Sequence, residues 1–274
     1  MKENHGHLDI VFRKKASGKT YLAKQFYKVP LQIMPPHYQD DDGTAFLYLL
    51  NSGGGILQHD RLLTEIKVEE GAKAFITTPG NTKFYKMDDG HAEVNNHIEL
   101  KAEAVLEYLP EHNVPFAHST AYQNNEFRLH RDSVLIASDL VTAGRISRGE
   151  IFEYDKYSSV TKIYVDDKLL AFDKTIMEPQ KEHLHAIGLL EKYQSNGTMY
   201  IYQKNMNTEL ISQIRNIRGN DDDVCFGASM VTDSLMVIRL MGNNILDIQD
   251  VLYQIWAVTR KTLLGKNPVR IRKY

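Results

Sequence analysis

The chain has 274 residues, of which 42% are hydrophobic and 25% are charged, and this composition predicts a globular protein rather than a disordered one. Its formal net charge of −2 comes from interspersed acidic and basic residues, so no broad positive field favours nucleic acid or an anionic membrane as a partner. A single cysteine excludes an internal disulfide, and no apolar stretch has the length of a leader or a membrane span, so we expect one domain, residues 1–274, in the cytoplasm.

The beginning of the chain predicts a β-hairpin. Apolar and polar residues alternate from His7 to Arg13, a turn follows at 16–19, and a second strand is predicted from Thr20 to Val29. An acidic run at 40–42 comes next, and no other residues of metal-ligand spacing accompany it. We therefore expect this run to form a solvated loop.

The stretch 45–86 is the most informative part of the sequence. An apolar strand leads into three consecutive glycines, 53–55, which allow positive φ and close approach of the backbone. The chain can therefore reverse sharply and place Asp60 at the start of the next strand. Residues 62–68 alternate between apolar and polar side chains, which predicts a half-buried strand, and 73–78 predict another.

The following residues predict more strands separated by turns. Pro110 and Pro115 bracket a loop that is expected to stay outside any central strand, because proline has no backbone N–H to donate. The dipeptide Asn196-Gly197 is the strongest signal for a two-residue hairpin turn. The predicted strands after residue 86 are 91–100, 104–109, 127–129, 134–136, 150–157, 161–165, 169–173, 191–194, 198–203, 225–230 and 234–241.

Two helices are predicted late in the chain. The first covers 208–218, with Asn207 as its cap and Gly219 as its stop, because apolar residues recur there at helical spacing. The second covers 245–264 and carries one apolar stripe, which must lie on a sheet. About one residue in eight is then helical, well below the usual third, so the predicted fold class is mainly β.

Four motifs together resemble one known family. They are GGGILQHDRL at 53–62, GAKAFITTPGNTKFY at 71–85, EYLPEHNVPFAHSTAYQ at 107–123 and GRISRGEIF at 144–152. In this order they are similar to the urease accessory protein family called UreD or UreH. One departure is His59, which stands where the family usually has glycine immediately before the aspartate.

The resemblance implies both a fold and a function. It implies an elongated β-helical-like scaffold of many strands with two helices near the C-terminus. It also implies a nickel-insertion chaperone for urease maturation, without catalytic activity and without a tightly bound cofactor, that handles Ni²⁺ transiently. The expected partners are apo-urease, a UreF-like accessory protein and, through it, a UreG-like GTPase; a homodimer within the complex is left open. Neither nucleic acid nor a membrane is expected.

The resemblance also directs attention to polar residues in and near the motifs. In similar proteins a tunnel lined by polar and acidic side chains carries nickel, and a tunnel for a divalent ion needs weak, successive oxygen ligands. The candidates for this path are Asp60, Thr78, Lys83, Asp139 and Glu150. The motif residues with expected structural roles are Gly53, Gly54, Gly55, Arg61, Thr77, Arg145 and Gly149. The alternative to a nickel path is a purely structural, buried network in which Arg145 pairs with Glu150 or Lys83 pairs with Asp60.

Other functions stay open at the level of the sequence. No nucleophile motif, HExxH, paired CxxC or dinucleotide fingerprint is present. The pairs His5/His7 and His183/His185 could each place two imidazoles on one strand face, but two ligands alone bind a metal weakly. Two rival functions are a metal-independent β-scaffold and a metal-dependent hydrolase, which would use Asp60 and Asp139 with some of His59, His112 and His118.

Overall fold

The structure of the protein is a computed structural model, which describes residues 5–217 and 223–271. Strands account for 48% of the described residues and helices for 11%, which confirms the mainly β prediction. The strands are β1 Gly6–Lys14, β2 Thr20–Lys28, β3 Leu31–Ile33, β4 Ala45–Asn51, β5 Arg61–Val68, β6 Lys73–Thr77, β7 Thr82–Phe84, β8 Ala92–Leu100, β9 Val105–Tyr108, β10 Asn113–Pro115, β11 Thr120–Leu129, β12 Val134–Thr142, β13 Lys156–Val165, β14 Lys168–Met177, β15 Ser195–Gln203, β16 Val224–Thr232 and β17 Leu235–Gly242. The helices are α1 Glu209–Arg215 and α2 Ile245–Leu264.

The strands form two stacked sheets. The first has the order β14-β13-β11-β8-β5-β1-β2, and the second runs β16-β17-β15-β12-β9-β6-β4-β3 with β7 and β10 beside it. From β4 to β13 the chain passes repeatedly from one sheet to the other, and the strands that it adds to each sheet are parallel. Each passage is therefore one coil of a solenoid, and antiparallel strands close its ends. This arrangement confirms the β-helical-like scaffold.

Period-two alternation explains why the sheets pack against each other. In β5, alternate residues from Leu62 to Val68 are buried and their neighbours are partly exposed, as predicted. The buried side chains of the two sheets meet in one large apolar cluster that includes Ile10, Ile66, Ile76 and Leu135. A second cluster lies on the outer side of the second sheet, beneath α2, and a third lies toward the turns at one end.

The long helix has the predicted boundaries. The side chain of Asn244 accepts a hydrogen bond from Leu246 N at 3.0 Å, and Gly265 ends α2 in the left-handed conformation with φ 66°. Its apolar stripe packs on the second sheet. The first helix is shorter than predicted, Glu209–Arg215, and its expected stop at 219 lies outside the described residues.

The Asn196-Gly197 hairpin prediction is wrong. Both residues lie inside β15, and residues 191–194 form no strand. A Cβ at position 197 would lie 2.1 Å from Leu140 Cδ2 on the neighbouring β12. A Cβ here would displace the buried Leu140 side chain, so this glycine reflects close packing between strands and not a turn.

The loop predicted between the two prolines is partly a strand. β10 pairs in parallel with β7 and touches β12 at Asn113. Backbone bonds to β7 are made by His112 O and by Phe116 N, on either side of Pro115. Successive strand residues point their N–H groups to opposite sides, so the missing N–H of Pro115 falls on the side away from β7.

Other strand boundaries differ because neighbouring coils extend them. β11 and β12 are ten and nine residues long, although only their most apolar segments were predicted. Residues 150–155, predicted as strand, are irregular, and β13 begins at Lys156. The strands 127–129 and 134–136 are thus the apolar parts of longer strands whose polar residues also join the ladder.

The acidic run at 40–42 is not a solvated loop. Asp40 is only 9% exposed and forms ion pairs with Arg260 and Lys266, and Asp42 pairs with Lys73 at 2.8 Å and with Lys266 at 2.7 Å. The prediction failed because these basic partners are distant in sequence. The run instead helps to attach the C-terminal part of the chain to the sheets.

Candidate functional site: the polar belt between the sheets

A row of polar side chains crosses the interior of the first sheet. Thr64, Asn96, Asn125 and Thr161 occupy equivalent positions on β5, β8, β11 and β13, and all four are buried. Asn96 Nδ2 donates to Asn125 Oδ1 at 2.9 Å, and Asn125 Nδ2 donates to Thr161 Oγ1 at 3.4 Å. We call these four residues the polar belt. It separates the large apolar cluster from the third cluster at the end of the sheets.

A cavity of about 100 Å³ lies along the belt, between the two sheets. Asp139 lines it from β12, at an inward position between the buried residues Ala137 and Val141. Apolar side chains alone could fill the space between two sheets completely, whereas the belt replaces four of them with smaller polar groups. The polar belt therefore lies beside an internal cavity whose wall includes the carboxylates of Asp139 and Glu111.

Asp139 is held by neutral donors. Its Oδ1 accepts from Asn113 Nδ2 at 3.2 Å and from Gln123 Nε2 at 3.1 Å, and its Oδ2 accepts from Ser159 Oγ. Burial raises the pKa of Asp139, and the nearby Asp173 adds to this effect, while the hydrogen bonds oppose it. The cavity is thus lined by an acidic group without a basic partner among these contacts, which suits a transient cation better than a permanent ion pair.

Two further cavities share walls with the first. Asp139, Thr161 and Tyr200 also line a small cavity of about 20 Å³ that reaches Asp173. On the other side, Glu111 and Ser138 line both the first cavity and one of about 260 Å³ beneath α2. Carboxylates thus stand at the middle and at both ends of a line of three neighbouring cavities.

The side chains at the junction beneath α2 are mostly polar. Glu111 accepts a hydrogen bond from Gln249 of α2, and its backbone N donates to Thr78 Oγ1 at 2.9 Å. Thr78 Oγ1 in turn donates to Gly80 O at 3.0 Å. The buried Ser138 hydroxyl makes no hydrogen bond within the part of the chain that the structure describes. Oxygen atoms therefore line the wall shared by these two cavities.

The structure brings only two of the five candidate path residues together. Thr78 and Asp139 both line the first cavity. Asp60 lies in the turn before β5, where its carboxylate accepts from Leu57 N at 2.9 Å and stands 3.6 Å from His5 Nδ1. Lys83 lines a separate open groove of about 720 Å³. The expected pairing of Lys83 with Asp60 is absent from the described residues, and a nickel role for these two side chains stays a prediction.

Glu150 pairs with Arg145, as the sequence suggested. The Arg145 Nε donates to Glu150 Oε2 at 2.7 Å, the guanidinium lies 4.1 Å above the Phe116 ring, and Ala117 N donates to Glu150 Oε2 at 3.3 Å. This pairing lowers the pKa of Glu150. The pair therefore attaches the loop after β12 to the segment after β10, outside the cavities that Asp139 lines.

The remaining motif residues have structural positions. The buried Thr77 hydroxyl donates to Leu109 O at 2.6 Å, Arg61 lies 3.5 Å from Glu93, and Gly149 ends a short 3₁₀ turn with φ 82°. Gly54 has φ 72°, so the turn at 53–55 uses the left-handed conformation once. His59 also has a positive φ, 66°, a conformation that glycine adopts more readily than histidine.

Gly55 is required for a different reason. A Cβ there would lie 2.5 Å from Tyr85 Cε2 and 3.0 Å from Lys83 O. We expect Gly55→Ala to lower the free energy of unfolding by about 1–3 kcal/mol, because the Tyr85 ring must move. Gly80→Ala is the matched control, since a Cβ there meets nothing within 4 Å, and it should change stability by less than about 0.5 kcal/mol. Urea unfolding of both variants measures the difference, and equal midpoints would contradict the packing argument.

The hydrolase constellation is not assembled. Asp60 and Asp139 lie in different places, and His59 and His118 stand near surface carboxylates, 3.9 Å from Asp89 and 3.7 Å from Asp155. His112 lies beside Glu111. These groups therefore do not converge on one metal or substrate.

The two histidine pairs also differ from expectation. The pair 183/185 lies in an irregular segment rather than on a strand, and there His185 Nδ1 contacts Glu191 O at 2.5 Å. His7 lies on β1, but His5 precedes it in a bend beside Asp60. Neither pair presents two imidazoles on one strand face.

Sequence reasoning missed the belt, although a signal was present. Two of the belt residues interrupt a run of inward apolar positions, Thr64 between Leu62 and Ile66 and Asn96 between Val94 and Ile98. Counting every second residue along the predicted strands would have marked these interruptions.

Within the described residues, no helix is both long enough and apolar enough to cross a membrane.

Comparison with known proteins gives matches to a single family. The family model described as UreD urease accessory protein matches residues 4–273. A protein of Bacillus cereus (strain ATCC 10987 / NRS 248) named urease accessory protein UreD is 31% identical over 274 residues, which is the whole of both chains. Proteins of the same name from Acetivibrio thermocellus and Staphylococcus aureus (strain JH9) are 30% and 28% identical; the matches cover 84% and 91% of this chain, and 88% and 91% of theirs.

Proposed function

The chain belongs to the UreD urease accessory protein family, and from this premise we propose that it is a non-catalytic chaperone that passes Ni²⁺ to urease along the polar belt. The single observation that carries the proposal is the line of cavities with Asp139 at its centre. The matched proteins are named as accessory proteins and not as enzymes, which fits this role.

The belt has the chemistry that a passage for a divalent ion requires. An ion that leaves water needs oxygen ligands at each step, but a set of several charged ligands would trap it. Here the amide and hydroxyl oxygens of Asn125 and Thr161 are neutral, and Asp139 supplies one negative charge among them. Ni²⁺ accepts carboxylate oxygen ligands, so this set can hold it weakly and release it. Nickel is therefore cargo in this proposal, and no cofactor is tightly bound.

One end of the passage lies beneath α2, where the proposal places a partner. Leu246 and Tyr253 of α2 are seven residues apart and thus share one helical face, and both are exposed. Tyr253 also lines the outer cavity. In this proposal the chain docks on apo-urease and on a UreF-like protein, which holds a UreG-like GTPase that hydrolyses GTP. The assembly acts in the cytoplasm, and a homodimer within it stays a prediction.

The nickel content of urease tests the proposal. Urease is purified from cells that carry the urease genes and the other accessory genes, with and without the gene for this chain. We expect urease nickel and urease activity to fall together, at least several-fold, when the chain is missing. Restoring the chain, or its Gly80→Ala variant, should restore both. Urease that fills with nickel equally well without the chain would contradict the proposed role.

A further inference from the structure

A second group of potential metal ligands lies on the outer face of the first sheet. His7 and Asp9 are two residues apart on β1 and therefore face the same side, and the parallel register pairs Asp9 with Glu65 of β5. His7 Nε2 lies 2.7 Å from Glu65 Oε2. One ligand atom from each of the three residues lies within 4.8 Å of the other two. We call these three residues the outer triad.

The surroundings of the outer triad restrict its side chains. The Phe26 ring of β2 packs edge-on against the His7 imidazole, with 5.3 Å between ring centroids, and limits the rotation of His7. The His7, Asp9 and Glu65 side chains are 28%, 24% and 46% exposed, so an ion can approach from solvent. The Lys24 ammonium donates to Asp9 Oδ2, and Lys28 of β2 is the register partner of His7. The two carboxylates are adjacent across the strands, and an ion between them would relieve their repulsion.

We propose that the outer triad binds one divalent first-row transition-metal ion of the class of Ni²⁺, Co²⁺ or Zn²⁺. One imidazole and two carboxylates are ligands that these ions accept, whereas Ca²⁺ and Mg²⁺ prefer oxygen ligands alone. Ligand distances of about 2.1 Å put neighbouring ligand atoms about 3 Å apart, so small side-chain rotations suffice. The remaining positions around the ion hold water.

This site is separate from the passage proposed above. The outer triad uses outward-facing residues of β1 and β5, and the polar belt uses the inward face of the same sheet. The outer triad does not depend on the belt, and the two sites can be tested independently. The Lys24 ammonium competes with the metal ion for the Asp9 carboxylate, because Asp9 must release the ammonium before it can bind the ion.

Titration with Co²⁺, followed by visible absorption, and with Ni²⁺, followed by calorimetry, tests the proposal on the purified full chain. We expect one ion to bind at the outer triad, and expect His7→Ala to abolish this binding. Asp9→Asn and Glu65→Gln should each weaken it at least tenfold. Lys24→Met should tighten it several-fold, because the Asp9 carboxylate is then free. Circular dichroism confirms that each variant is folded, which is expected since all four positions are on the surface.

His91→Ala is the matched control. His91 Nε2 lies 2.8 Å from Glu93 Oε1 on β8 of the same sheet, so it forms a similar pair, but the third neighbour there is the Arg61 guanidinium instead of a carboxylate. This variant should keep the site. Binding that is unchanged in His7→Ala, that is lost equally in His91→Ala, or that is absent from the wild type would overturn the proposal.

Discussion

Replacing Arg260 with methionine is expected to lower the free energy of unfolding by about 3–5 kcal/mol. Arg260 lies on α2 with no exposed surface, and its Nε donates to both carboxylate oxygens of Glu107, at 3.2 and 3.1 Å. Its Nη1 donates to Asp40 Oδ1 at 3.2 Å and to Asn267 O at 2.6 Å. Methionine preserves much of the volume but leaves buried acceptors without their donor, and that loss dominates the expected cost.

Of the two carboxylates, Glu107 is left with a neutral hydrogen-bond donor when Arg260 is replaced, and Asp40 with a charged one. Asp40 keeps the Lys266 ammonium at 3.3 Å, whereas the only side-chain donor that Glu107 keeps within the described residues is the Trp256 indole N–H at 2.5 Å. We therefore expect a second substitution, Glu107→Gln, to recover part of the stability lost in Arg260→Met. This recovery would distinguish an unpaired buried charge from a simple cavity.

Urea unfolding followed by the fluorescence of Trp256, the single tryptophan, measures the effect. The indole lies 5.2 Å from the Arg260 guanidinium, so it reports on this contact directly. Lys261→Met is the matched control, because Lys261 is the next residue of α2 and is exposed. It should change stability by less than about 0.5 kcal/mol. A loss of less than about 1 kcal/mol in Arg260→Met would show that the buried ion pairs do not hold α2 on the sheet.

The elements that could be predicted are those fixed by local pattern. The boundaries of α2 follow from Asn244, an apolar stripe and Gly265, all within one short stretch of sequence. The β1–β2 hairpin likewise follows from alternation around one turn. The Asp40–Arg260 pair could not be predicted, because its partners are 220 residues apart and only the coil stacking brings them together. For the same reason, the acidic run at 40–42 was predicted as a solvated loop, although Asp40 forms buried ion pairs.

The candidate site was predicted only in part, for a similar reason. The family resemblance led to both Asp60, inside a motif, and Asp139, between two motifs, but one is in a surface turn and the other in the cavity wall. A motif position shows where a residue recurs in a family and does not show which way its side chain points. The belt depends on register between coils, as in the pairing of Asn96 with Asn125, and register is a property of the stacked sheet.

Asp139→Asn is expected to separate stability from nickel transfer. Asparagine keeps the size of the side chain, and its oxygen can still accept from Asn113 and Gln123. Its amide can donate to Ser159 Oγ. The variant should therefore fold, and at pH 8 it should be more stable than the wild type, because it no longer holds a buried negative charge.

The pH dependence of this difference follows from the direction of the pKa change. Burial raises the pKa of Asp139 above its ordinary value, so the folded state favours the protonated acid. The wild type therefore loses stability as the pH rises from the ordinary pKa of aspartate through the higher pKa of the folded state, while the asparagine variant does not titrate. The advantage of Asp139→Asn should accordingly vanish below about pH 4 and grow toward neutral pH, which urea unfolding across this range measures.

In cells, the same variant is expected to lower the nickel content of urease several-fold, because the neutral amide removes the Asp139 charge from the wall that the first cavity shares with the small one. Asp88→Asn is the matched control on the surface and should leave the nickel content unchanged. Lower nickel with a more stable protein cannot arise from unfolding, so this combination would assign the defect to the polar belt itself. Wild-type nickel content in Asp139→Asn would instead favour a scaffold that brings partners together and does not handle the metal.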